Sequence, residues 1–180
     1  MKKVKSLQEA FVDEIRDSYD AERQLTRALP KLAKKATDPK LKAAFESHLE
    51  ETLGHVEKLK EIFGLLDETV KGKHCDGIAG IIEEGKSVME EDFDSDTMDA
   101  CLVAAGQRAE HYEMAAYGTL VAWAETLARP EVAKVLQSIL DEEKAADRKL
   151  SSLAEGGLNR AAATKYENAG STKSVKAAKR

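Results

Sequence analysis

Apolar residues recur every third or fourth position along most of this chain, the spacing of a helix face turned toward a core. Leu7, Phe11, Ile15, Tyr19, Leu25, Leu29 and Leu32 make the first such stripe. Ser6 and Glu9 form a capping box that opens it, so a helix is predicted over residues 6–35, with a kink or break at Pro30. Asp38-Pro39 is a turn and a helix start. The second helix is predicted over 39–66, with Leu41, Phe45, His48, Thr52, His55, Leu59 and Ile62 on one face. Residues 71–77 read as a loop from their glycines and charges. A short helix over 78–91 has a weak apolar face and is predicted to cross between two helix pairs.

Residues 97–128 carry the stripe Leu102, Gly106, Ala109, Glu113, Ala116, Leu120, Trp123 and Leu127. Arg129-Pro130 ends this helix and opens the last, over 130–153, whose stripe is Val132, Leu136, Leu140, Glu143, Asp147 and Leu150. Gly156-Gly157 is expected to stop it. The pattern predicts an all-α protein: two long antiparallel helix pairs joined by a short fifth crossover helix.

Each stripe places acids where apolar residues belong. Glu22 and Glu113 stand in the middle of their faces, and Glu143 and Asp147 stand one turn apart on another. A buried carboxylate costs several kcal/mol unless it is neutralised, paired or bound to a cation. Glu51 falls three residues after His48 and four before His55, so all three project from neighbouring points of one helix.

The halves of the chain repeat. Glu22 and Pro39 are 17 positions apart, as are Glu113 and Pro130. Pro39 to Glu51 is 12 positions and Pro130 to Glu143 is 13, so that pairing needs a one-residue insertion. Without it, Glu51 pairs with Glu142. Each half offers a helix with one inward Glu, then a helix with an inward Glu and a second ligand, which reads as half of a four-helix dinuclear metal site. The candidate ligands are Glu22, Glu51, His55, Glu113, Glu143 and Asp147, with His48 and Glu110 as further candidates. Four inward carboxylates would repel one another, and two divalent cations would neutralise them. A donor set rich in oxygen suits iron or manganese more than zinc. Tyr19 and Tyr112 are candidates to hydrogen-bond the ligands.

Bulk properties narrow the classes. The 180 residues suffice for one domain with a real core, and 34% charged residues suit a helical surface. The chain contains no run of about 18 apolar residues, so no membrane span is expected. No apolar segment follows the basic start, so a cytoplasmic protein is expected, with Cys75 and Cys101 as free thiols. The net charge of −5 is uneven: residues 159–180 carry six bases against Glu167. The body is acidic, which argues against nucleic acid as a partner. Residues 1–158 are read as the bundle and 159–180 as a basic, partly disordered tail.

The sequences Tyr19-Asp20-Ala21-Glu22-Arg23-Gln24-Leu25, His48-Leu49-Glu50-Glu51-Thr52, Glu110-His111-Tyr112-Glu113, Tyr117-Gly118-Thr119-Leu120 and Glu142-Glu143-Lys144-Ala145 with Asp147 carry a resemblance. Together they are similar to the YciE/YciF stress-protein family within the ferritin-like superfamily, over residues 6–158. The resemblance implies a ferritin-like four-helix bundle, a dinuclear metal site, a role in stress responses and a homodimer. It leaves the chemistry open. One expectation is redox work on peroxide or dioxygen, catalase-like with manganese and peroxidase- or ferroxidase-like with iron. The other is a non-catalytic metal-binding or partner-binding protein. The chain departs from the superfamily's Glu-x-x-His pattern: Glu51 and His55 are four apart, the second copy ends in Asp147, and His48-x-x-Glu51 is an alternative pairing.

Overall fold

Three of the four long helices begin on a side chain that accepts from their free backbone N–H groups, and the fourth opens on Pro130, which has no N–H to satisfy. The computed structural model describes residues 4–164. Helix α1 spans Leu7–Lys35, with Ser6 accepting from Glu9 N and the Glu9 side chain reaching back to Ser6 N. Helix α2 spans Pro39–Leu65 and is capped by Asp38. Helix α3 spans Asp76–Glu90, α4 spans Ser95–Thr126 with Asp94 as its cap, and α5 spans Pro130–Leu153. The stripes forecast all five helices, with ends shifted by one or two residues.

Helix α1 runs unbroken through Pro30. Pro30 is exposed, so water can meet the carbonyl that loses its hydrogen bond there. Gly156-Gly157 does not end the last helix outright. Ala154–Leu158 forms one π-helical turn, Gly157 takes φ 152°, and residues 159–164 are helical again. Only glycine adopts that φ without strain. The remainder of the basic segment read as a tail, from residue 165 on, lies outside the described residues.

Helices α1, α2, α4 and α5 form an antiparallel four-helix bundle. The pairs α1–α2, α4–α5, α2–α5 and α1–α4 are in contact, the neighbour pattern expected of a ferritin-like bundle. Asp99 near the start of α4 accepts from Thr37 N, Thr37 Oγ1 and Asp38 N at 2.8, 2.6 and 2.8 Å, tying it to the end of α1. The connection after α2 runs back along α1. Arg16 pairs with Glu68 at 2.9 Å, Lys73 N donates to Arg16 O at 3.0 Å, and Cys75 N donates to Asp20 at 3.0 Å. This return lets α3 lie across α1 and α4 as the crossover. No helix among the described residues is long and apolar enough to cross a membrane.

The core is split into two apolar clusters. One holds Phe11, Ile15, Leu59, Phe63, Leu120 and Leu136, the other Leu25, Leu29, Leu41, Phe45, Leu102 and Leu150. Both draw on all four bundle helices, and along each helix the acids and imidazoles described next fall between them.

Candidate metal centre

Four carboxyl groups and two imidazoles meet in the middle of the bundle. Glu22 comes from α1, His48 and His55 from α2, Glu110 and Glu113 from α4, and Glu143 from α5; all are buried. Helical spacing explains the convergence. Glu110 and Glu113 lie one turn apart, and His48 and His55 two turns apart, so each pair shares a face.

Ligand atoms of His48, Glu110, Glu113 and Glu143 lie within 4.8 Å of one another, and so do those of Glu22, His55 and Glu143. Glu143 belongs to both groups. A carboxylate shared in this way is suited to bridge two cations. Four Glu and two His are also the donor inventory of ferritin-like dinuclear carboxylate proteins. The distribution differs: α2 supplies both imidazoles and no inward Glu, α4 supplies two glutamates, Glu110 and Glu113, and α5 supplies Glu143 without a histidine.

The imidazoles are held from behind. His55 Nε2 donates to Glu142 Oε2 at 2.7 Å, and Lys58 Nζ fixes the same carboxylate at 2.7 and 2.8 Å. The opposite nitrogen, Nδ1, faces Glu143 at 3.0 Å and Glu22 at 3.3 Å. His48 Nδ1 lies 3.2 Å from Glu51, and its Nε2 faces Glu110 at 3.2 Å and Glu143 at 3.7 Å. A carboxylate behind each imidazole fixes its tautomer and aims the other nitrogen inward.

The electrostatics are those of charges packed without enough counter-charge. Burial pushes the Glu110 and Glu113 carboxyls well above the usual range, and the nearby Glu143 charge pushes the same way. Burial also raises Glu22, against the pull of His55. Burial opposes a charge on His55, but Glu143 and Glu22 outweigh it and lift its pKa to about 11. Burial opposes charge on Glu143 too, and there His55 and His48 prevail and lower it. Among the described residues, eight buried side-chain nitrogen and oxygen atoms lack a hydrogen-bond partner. Seven belong to this cluster: Glu22 Oε2, His55 Nδ1, Glu110 Oε2, and both oxygens of Glu113 and of Glu143. A buried atom left without any partner costs about 1–3 kcal/mol; the 3.0 Å contact between His55 Nδ1 and Glu143 Oε1 offsets part of this for that pair. A pair of divalent cations would satisfy these atoms together, so the donor set fits them.

The predicted ligands divide. Glu22, His55, Glu113 and Glu143 are brought together, and so are the further candidates His48 and Glu110. Glu51 and Asp147 stand outside both groups. The Glu51 side chain is 42% exposed and backs His48. Asp147 accepts from Gln107 at 3.2 Å and lies 3.3 Å from His111, which is exposed. Asp147 follows Glu143 by four residues, but Ala146 and Asp147 already turn toward the bundle surface while Leu150 resumes the core.

The repeat holds without the insertion. Pro39 and Pro130 lie 91 positions apart, as do Glu51 and Glu142, and Thr52 and Glu143. Glu51 and Glu142 are both partly exposed, at 42% and 41%, and both back an imidazole, whereas Thr52 and Glu143 are both fully buried. Thr52 spends its hydroxyl on the His48 carbonyl at 2.8 Å. Helix α2 therefore lacks the inward acid that α5 has in Glu143, and His48 and His55 supply its donors instead.

The tyrosine that serves the site is neither Tyr19 nor Tyr112. Tyr117 is buried and donates to Glu22 Oε1. It follows Glu113 by four residues, so the buried face of α4 runs Glu113, Tyr117, Leu120, Ala124, not through Ala116 and Trp123. Tyr19 stacks edge-on against Phe63 with ring centres 5.7 Å apart. The Tyr112 hydroxyl sits 3.1 Å from Cys75 Sγ.

Comparison with known proteins agrees with this architecture. The chain is 42% identical to Protein YciF of Escherichia coli strain K12 over 163 residues, 90% of this chain and 98% of that protein. The crystal structure of the E. coli stress protein YciF superposes with a TM-score of 0.83 at 42% identity, covering 87% of this chain and 99% of that one. YcfI of Rhodopseudomonas palustris gives 0.82 at 40% identity, over 84% and 96%. A Xanthomonas campestris protein, 21% identical, shares the fold with a TM-score of 0.72 over 90% and 99%. The family profile described as "Domain of unknown function (DUF892)" matches residues 6–163. With its profile matching nearly the whole described chain and a relative 42% identical over 90% of it, this protein belongs to the DUF892 family.

Proposed function

We propose that this protein holds two iron or manganese ions between its four bundle helices and acts in a stress response by redox chemistry on peroxide or dioxygen. The observation that carries the reading is the set of seven buried, unpartnered donor atoms in two groups that share Glu143. Bound metals would supply electrons and a place for an oxidant oxygen to bind. The similarity to the E. coli stress protein YciF supports the setting.

The chain's own residues do the rest. Glu22 and His55 would hold one ion, His48, Glu110 and Glu113 the other, and Glu143 would bridge. Glu142 and Glu51 keep the imidazoles aimed. The two apolar clusters exclude bulk water from both ends of the site, which strengthens each electrostatic contact inside. Tyr117 keeps a hydroxyl on Glu22, where it can pass a proton to or take one from that carboxylate. A cation bound at His55 Nδ1 would displace the proton there, while Nε2 would keep the proton it donates to Glu142.

The test is anaerobic loading with two ferrous or manganous ions per chain, followed by mixing with hydrogen peroxide or with dioxygenated buffer. Oxidation of the metal or evolution of oxygen, absent in Glu113→Ala, would support the redox reading. Full metal loading with no reaction toward either oxidant would reduce the role to metal binding alone.

A further inference from the structure

Two small cavities reach the candidate metal centre, and both end on His48 and Glu110. They differ in chemistry. The first opens between α2 and α5, encloses about 90 Å³, and carries Ser47, Glu51 and Lys149 along its wall. Water, a cation or hydrogen peroxide would find polar partners there. The second lies between α1, α3 and α4, has a volume of about 60 Å³, and is walled mainly by Leu25, Leu29, Ile82, Met89 and Ala105, with the exposed Lys31 and Lys86 also on its lining.

We propose that this second cavity is a binding site and path for a small apolar gas, dioxygen, leading to the His48–Glu110 edge of the centre. The inference rests on the dinuclear reading above and names the oxidant for it. Size and lining argue for it together. A cavity of about 150 Å³ is what takes up benzene, whereas one water-sized molecule needs only about 10–15 Å³. The space here admits a diatomic molecule and excludes an aromatic ring or alkyl chain. Between its mouth and the His48–Glu110 end, the aliphatic walls offer water few partners, which favours an apolar occupant there. Hydrogen peroxide, with two hydroxyls to satisfy, belongs in the other cavity. Helix α3 forms the roof, and it buries only Ile78 and Gly85 fully, so small movements of this helix would admit a gas.

Gly85 provides the means to close the cavity. A Cβ built there meets only the Ala105 methyl, at 3.7 Å, an ordinary contact. Gly85→Leu would therefore seat its first carbon easily and fill the space with the rest. Ala105→Val fills the same space from α4, should the first variant fold poorly. The reaction followed is the transfer of one electron from each of two ferrous ions to dioxygen, which with two protons gives hydrogen peroxide and two ferric ions.

Metal-free crystals pressurised with xenon should show a xenon atom among Leu29, Ile82 and Ala105 in the parent protein and none in Gly85→Leu. In stopped-flow mixing, the ferrous-loaded variant should react with dioxygen about tenfold more slowly or worse, a barrier increase of about 1.4 kcal/mol, while its reaction with hydrogen peroxide keeps the parent rate. No xenon in the parent, equal slowing with both oxidants, or no slowing with dioxygen would overturn the proposal. The xenon arm needs no metal, so failure of metal loading would count against the dinuclear reading while xenon still decides the gas site.

Discussion

Glu142 on α5 accepts a 2.7 Å hydrogen bond from His55 Nε2 on α2, and this single contact aims His55 Nδ1 at Glu22 and Glu143. Glu142 touches none of the inward carboxylates, and it is 41% exposed. Its replacement should leave the fold intact yet loosen the imidazole. Glu142→Ala is expected to weaken binding of one of two metals about 10–100-fold, the usual effect of removing the group behind a histidine ligand. Calorimetric titration with manganous ion would resolve it as one tight and one weakened site, and two unchanged sites would show that His55 needs no backing.

Glu51 and Asp147 separate the ligands from their surroundings. Asp147→Ala should keep two metals per chain, because Asp147 is engaged with Gln107 and His111 at the bundle surface. Glu113→Ala should not, since both Glu113 oxygens are buried without a partner. Metal analysis of the two variants side by side checks this, and equal loss in both would return Asp147 to the ligand set.

The metal-free protein should lose stability as pH rises from about 5 to 8. Glu22, Glu110 and Glu113 have carboxyls raised by burial, so the folded state holds protons that the unfolded chain releases above pH about 4.5. His55 acts in the same sense: its folded pKa of about 11 contributes stability that is complete below its unfolded value and lost as pH climbs toward 11. Glu143, Glu142 and Glu51 are lowered, and their contribution disappears only below the usual carboxylate range, outside this window. Melting temperature should therefore fall from pH 5 to pH 8 without metal. With metal it should rise, because uptake releases those same protons. Thermal scans with and without manganous ion would show the opposed slopes; parallel slopes would contradict the protonation pattern.

Tyr117→Phe removes the hydroxyl from Glu22 without changing the ring that packs in the core. Leaving the buried Glu22 carboxyl without this partner is expected to cost about 1–3 kcal/mol of stability. Urea denaturation measures it, and a change below about 0.5 kcal/mol would mean that Glu22 finds another partner.

The sequence made the helices legible because stripes three and four apart, capping residues and prolines all pointed to the same elements. Glu22, Glu113 and Glu143 were legible for a related reason: acids centred on apolar stripes stand out. What the stripes could not give was rotation about each helix axis within about one residue. Glu51 and Glu142 lie next to Thr52 and Glu143, and which of each pair faces inward depends on packing against neighbouring helices. The repeat held the missing signal, since its undisturbed 91-residue offset pairs Glu51 with Glu142 and Thr52 with Glu143. Tyr117 was hidden by Ala116, an equally plausible core residue one position away. The bond from Glu142 to His55 joins residues 87 apart, and no local pattern reveals such a contact.

Metal content bears most directly on the dinuclear site. The full chain should be purified without added metal or chelator, in parallel with Glu143→Ala, and analysed by mass spectrometry after confirming that both are folded. About two iron or manganese ions per chain in the parent, and loss of both in Glu143→Ala, are expected from a carboxylate shared between the two ligand groups. A folded parent that holds no metal and takes up none on reconstitution would contradict the site.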